Sequence, residues 1–139
     1  MTIRNLDRAF NPSSVAVIGA SIRQGSVGAT VWRNLLGGGF AGQLWPVNPK
    51  YAAIDGVPCF RKVAGLPAAP DLAVIATPAA TVPGLISELA AKGTRAAVVL
   101  SAGIDNASGL RQAMLDAARP ICFRIIGPNC LGLFLPPSR

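Results

Sequence analysis

VAVIGASIRQGSVG occupies residues 15–28. Four apolar residues run into Gly19, and Gly25 and Gly28 follow. An apolar strand that turns into a helix through a glycine loop is the phosphate-holding element of many α/β folds. The strand is expected over Ser14–Ile18. Beyond the loop, Val27, Val31 and Leu35 recur at helical spacing until Gly37, Gly38 and Gly39 end the pattern.

The same alternation continues along the chain. GQLWPVNPKY carries a second strand that ends at the Pro49 turn. The stretch IDGVPCFRKVAGLPAAP is broken by glycine and proline and reads as loop with a short helical turn. DLAVIATP is a third strand, followed by a helix in AATVPGLISELAAKG. Pro83 falls in the first turns of that helix, where proline is tolerated, and Gly93 stops it. RAAVVLSAG is a fourth strand, DNASGLRQAMLDAAR a helix starting near Asp105 to Ser108, and CFRIIGPNC a fifth strand with its exit loop. Strands apolar throughout belong to parallel sheets covered on both faces. The expected architecture is therefore α/β, a Rossmann-like, doubly wound, mainly parallel sheet of about five strands with helices on both faces.

Composition narrows the function. The 139 residues suit one domain, and 51% hydrophobic content excludes a disordered chain. Thirteen Lys and Arg against six acids give a net charge of +7, which favours an anionic partner. The cations are scattered, from Arg4 and Arg8 through Lys50, Arg61 and Lys62 to Arg124, with no run interleaved with aromatics. A nucleic acid is not expected; a small polyphosphate accounts for the charge more economically. No apolar run reaches the roughly 18 residues of a membrane span, so no membrane partner is expected. The three cysteines, Cys59, Cys122 and Cys130, lack C-x-x-C spacing, and the chain contains no histidine. No metal site is expected, and free thiols fit a reducing cytoplasm.

The motifs of catalysis are missing as well. Without histidine the chain can build neither a Ser-His-Asp nor a Cys-His nucleophile. There is no G-x-x-x-x-G-K-[ST] sequence for a Walker-type ATP site. No two of the acids, Asp7, Asp55, Asp71, Glu88, Asp105 and Asp116, stand out as a pair. No catalytic residue is assigned.

The loop is a phosphate site with a difference. Gly19 and Gly25 are six apart, where the dinucleotide fingerprint spaces its first glycines by two. Backbone amides and a helix N-terminus can still cradle an anion, with Ser21 and Ser26 adding hydroxyls. An NAD site needs an acid near the end of its second strand. This strand ends in Asn48, Pro49 and Lys50, and the next acid, Asp55, lies beyond the turn. A cation there suits a ribose phosphate, as carried by NADP or by coenzyme A. Cys130, in GPNC, falls at the same ligand edge as a buried structural cysteine or a reactive thiol.

FNPSSVAVIGAS, GSVGATVWRNLL, GFAGQLWPVNPKY, PDLAVIATPAATVP, AAVVLSAGI and IGPNCLG occur in this order over nearly the whole chain. As an ordered set they resemble the CoA-binding domain of the ADP-forming (NDP-forming) acyl-CoA synthetases, relatives of the succinyl-CoA synthetase α subunit. The group includes bacterial protein lysine acetyltransferases with a similar region fused to an acetyltransferase domain. The resemblance implies that coenzyme A or acyl-CoA is the ligand. It implies that Gly19, Ala20, Ser21 and Gly25 wrap the phosphates, and that Val47, Pro49 and Lys50 hold the adenosine 3′-phosphate end. Ala76, Thr77 and Pro78 would line the pantetheine path, with Asn129 and Cys130 near the thiol. Synthetase catalysis passes a phosphoryl group through a histidine of another domain, which this chain lacks. Residues 1–139 are thus expected to form a single CoA-binding domain, the N-terminal part of a longer cytoplasmic protein, partnered by other synthetase domains or subunits. A synthetase-like acetyltransferase, a stand-alone CoA-binding module and an NADP-dependent oxidoreductase domain are the alternatives.

Overall fold

A computed structural model of the chain describes residues 6–105, 107–121 and 123–127. A one-turn helix α1 (Leu6–Phe10) leads into β1 (Ser14–Ile18). The chain continues through α2 (Val27–Gly37) and β2 (Gln43–Val47), then a hairpin of β3 (Ala53–Ile54) and β4 (Val57–Pro58). A 3₁₀ turn over Val63–Gly65 precedes β5 (Leu72–Ile75), which is followed by α3 (Val82–Lys92) and β6 (Ala96–Val99). The last described elements are α4 (Leu110–Ala118) and β7 (Arg124–Ile126).

β1, β2, β5, β6 and β7 form one sheet in the order β2-β1-β5-β6-β7, and every neighbouring pair is parallel. This is the expected doubly wound α/β architecture. Alternation along the strands divides the core in two. Ala16, Ile18, Ala73, Ile75, Ala97 and Val99 pack with Val82, Ile86 and Leu89 of α3 and with Met114 and Ala118 of α4. Val15, Val17, Leu72, Val74, Ala96 and Val98 face Trp32 of α2 and Ala9 of α1. Both residue sets are apolar because both faces are covered, so the strands read as continuous apolar runs.

Local chemistry sets the helix ends. Ser26 caps α2: its Oγ accepts from the Ala29 amide at 3.2 Å. Gly93, at φ +118°, ends α3, with its own amide and that of Thr94 turned back on the Leu89 carbonyl. α4 starts later than expected. Asp105 does cap a turn, accepting from the Ser108 amide at 2.8 Å, but Gly109 stands at φ +77° and the helix begins only at Leu110. The stretch expected to be mostly loop holds the β3–β4 hairpin. Its two-residue turn is Asp55-Gly56, both at positive φ, the pattern that Asp-Gly favours.

Candidate functional site

The order of the sheet locates the site. From β1 the chain moves outward to β2, then returns across β1 to β5. Ligands of open α/β sheets bind beyond the strand ends at such a reversal. A cleft of about 860 Å³ lies there, lined by the ends of β1, β2 and β5, the first turn of α2 and one side of α3.

Gly19 forms the floor. It stands at φ +93°, and a Cβ built on it would lie 2.7 Å from the Ala76 carbonyl oxygen and 3.1 Å from Thr77 Cγ2. Only glycine lets the β1 and β5 exits approach this closely. Gly25 is also left-handed, at φ +81°, but a Cβ there would meet nothing within 4 Å. Its missing side chain leaves open space on the cleft wall.

Side chains tie the loop to the end of β2. Asn48 Nδ2 donates to the Ala20 carbonyl at 2.9 Å, while its Oδ1 accepts from the Lys50 amide at 2.9 Å. The Tyr51 and Ser21 hydroxyls share a hydrogen bond of 3.3 Å, and Ser21 Oγ also accepts from the Arg23 amide. Ser26 Oγ donates to the Arg23 carbonyl at 2.7 Å as well as capping α2. Its proton is therefore committed, and the anion donors at this spot are the Val27 and Gly28 amides, which have no intrahelical acceptor.

Of the expected site residues, Gly19, Ser21, Gly25, Ser26, Val47, Pro49, Lys50, Ala76, Thr77 and Pro78 line this one cleft. Ala20 does not. It is fully buried and packs in the core under α2, so only its carbonyl serves the loop. Asn129 and Cys130 lie outside the described residues. The structure adds Arg23, Asn48, Tyr51, Arg61, Lys62, Thr81, Leu85 and Glu88 to the wall. Asn48 stood in the quoted VNPK motif, whereas Arg61 and Lys62 carry no local signal of their placement.

Four cations, Arg23, Lys50, Arg61 and Lys62, line the cleft against one carboxylate, Glu88. Asp55 is not in its wall; its Oδ2 accepts from the Trp32 indole at 3.1 Å. Cys59 is half-buried beside Asn48, and burial pushes its thiol above the ordinary range against a smaller opposing effect of the Asn48 backbone. Among the described residues no group of His, Cys, Asp and Glu could hold a metal, and no helix is long and apolar enough to cross a membrane.

The volume lies within the span typical of small-molecule sites. The open space at Gly25 and the cationic lining suit a large polyanionic nucleotide. Fold and cleft together define a nucleotide-binding domain of the doubly wound α/β class. Residues 13–136 match the CoA binding domain family, and the chain belongs to that family. Coenzyme A is its cofactor.

The chain is 41% identical over 132 residues to the ADP-forming acetate–CoA ligase I of Archaeoglobus fulgidus, covering 92% of this chain and 19% of that protein. It is 34% identical over 143 residues to the α subunit of the ADP-forming acetate–CoA ligase I of Pyrococcus furiosus, covering 97% and 31%. Among solved structures it resembles the dinucleotide-forming acetyl-coenzyme A synthetase 1 of Candidatus Korarchaeum cryptofilum in complex with phosphate and ADP. That likeness has a TM-score of 0.84 at 37% identity, over 91% of this chain and 28% of the other. The chain thus spans about a fifth to a third of the relatives it matches.

Proposed function

We propose that this chain is the CoA-binding part of an ADP-forming acyl-CoA synthetase, and that the cleft at the β1–β5 reversal holds the cofactor. The observation that carries the reading is the open space left by Gly25 on a cleft wall that also holds Arg23, Lys50, Arg61 and Lys62. In this arrangement the Gly19–Gly25 turn and the Val27 and Gly28 amides hold the diphosphate. Lys50 faces the adenosine 3′-phosphate. Ala76, Thr77 and Pro78 guide the pantetheine arm, and Asn129 and Cys130 take the thiol end. Bound coenzyme A supplies the thiol that receives the acyl group. The chain's own residues bind and orient; none of them carries a phosphoryl group, because no histidine is present. The overall reaction, acid with CoA and ATP to acyl-CoA, ADP and phosphate, would be completed by other domains or subunits.

Calorimetric titration with CoA, NADP and NAD tests the reading. CoA should bind more tightly than either nicotinamide cofactor. Tighter binding of NADP would assign the cleft to an oxidoreductase, and no binding of CoA would remove the reading altogether. The 139-residue chain, given ATP, CoA and acetate, should form no acyl-CoA.

A further inference from the structure

We infer that Arg61 and Lys62 complete, together with Lys50, a three-cation site for the ribose phosphate of the cofactor. The inference rests on the CoA reading of the cleft and adds two specificity-determining residues to it.

The placement of the two cations is a product of tertiary pairing. Phe60 forms a parallel bridge with Val47, outside the named strands. Its amide donates to the Pro46 carbonyl and its carbonyl accepts from the Asn48 amide, both at 2.9 Å. This short splice lies along the edge of β2 away from β1. Arg61 and Lys62 follow this bridge directly, as Asn48, Pro49 and Lys50 follow its other side, and all five line the cleft. Lys50, Arg61 and Lys62 are all exposed and all line the cleft. Among the described residues none of the three is in an ion pair.

The order of elements across the sheet edge separates two kinds of anion site. The splice and the β2 end lie on one flank, the glycine turn of β1 in the middle, and the β5 exit on the other. The central turn offers backbone amides and suits a diphosphate. The flank offers three side-chain cations. A phosphate monoester, at about −1.5 to −2 charges, matches that set, and Arg61 can engage it in a bidentate manner. Laid across the edge with its diphosphate on β1 and its pantetheine toward β5, a CoA molecule directs its adenosine end to this flank.

CoA and dephospho-CoA differ by this phosphate alone. Both should be titrated against the parent chain, Lys50→Gln, Arg61→Gln/Lys62→Gln and the triple variant, at two salt concentrations. The parent should prefer CoA by about tenfold or more, since several charge-assisted contacts are lost with the phosphate. The double variant should lose most of that preference with dephospho-CoA affinity within about twofold of the parent's, and the triple variant should lose all of it. The preference should shrink as salt rises. Lys62→Arg should keep it, which separates a charge requirement from disturbed folding. A double variant with the parent's full preference would overturn the inference. So would a parent that binds both ligands equally, although the CoA reading would then stand. A parent that binds neither ligand would remove the CoA reading itself.

Discussion

Gly28, in the first turn of α2, packs against the carbonyl of Gly19 so closely that a Cβ on Gly28 would overlap that oxygen. The first and last glycines of the loop are thus a helix–strand contact, while Gly25 between them faces open space. The three glycines have different tasks, and substitution should separate them. Gly28→Ala must push α2 off β1, and should destabilise the fold by about 1–3 kcal/mol, the usual cost of overpacking. Gly25→Ala meets no atom but forces a side chain to φ +81°, a cost of about 1–2 kcal/mol. Thermal melts should place Gly28→Ala lower. CoA titration of Gly25→Ala should show weakened binding by a chain that still folds, because its Cβ stands on the cleft wall.

Asn48 holds the floor of the cleft to its flank. One amide group spans from the Ala20 carbonyl to the Lys50 amide. Asn48→Ala removes both bonds and leaves the glycine loop joined to the end of β2 by the Gly19 amide on the Val47 carbonyl and by the Ser21–Tyr51 hydroxyl pair. A loss of stability of about 1–2 kcal/mol is expected from one part-buried and one exposed hydrogen bond. CoA affinity should fall by about tenfold, since binding must then order what Asn48 had ordered in advance. Unchanged affinity would mean that the cleft is preorganised by other contacts.

Most of this architecture is legible locally. Gly19 punctuates β1, Gly93 ends α3, and the apolar strands announce a doubly covered sheet. The β3–β4 hairpin was also within reach, because Asp55-Gly56 is a turn dipeptide; the flanking glycines and prolines drew the reading toward loop. The position of Ala20 is harder to foresee. It follows β1 immediately, yet the chain turns its methyl into the core under α2 rather than into the loop. Arg61 and Lys62 were legible only as scattered charge. They reach the cleft because Phe60 bridges to Val47, thirteen residues earlier, and no local pattern encodes that register.

Cys59 provides a check on the β2 flank. Burial raises its thiol pKa, so at a given pH less thiolate is present than for a free cysteine. With Cys122 and Cys130 replaced by serine, alkylation by iodoacetamide should be slower than that of a short peptide thiol at neutral pH. The rate should climb only at a more alkaline pH than the peptide's. Sγ donates to the backbone carbonyl of Asn48 at 3.6 Å, so any opening of this flank should expose the thiol and speed the reaction. Peptide-like rates in the parent would show that this flank opens freely.

Trp32 and Asp55 decide between two roles for the first acid beyond the second strand. In an NAD site, an acid in this part of the chain accepts from the ribose hydroxyls. Here Asp55 sits in the hairpin turn at φ +50° and accepts from the indole of the fully buried Trp32. That bond ties the β3–β4 hairpin to α2, on the face of the sheet packed by Ile54 and Trp32. Asp55→Ala leaves a part-buried N–H without its partner, and should cost about 1–3 kcal/mol of stability. Asp55→Asn keeps an acceptor oxygen and should recover part of the loss. Trp32 also reports the bond directly: in Asp55→Ala its emission should change in wavelength or yield, while CoA affinity stays within about twofold of the parent's. A selective loss of nucleotide binding in Asp55→Ala with unaltered stability would place this acid on a ribose instead, and the cleft would have to extend to the hairpin.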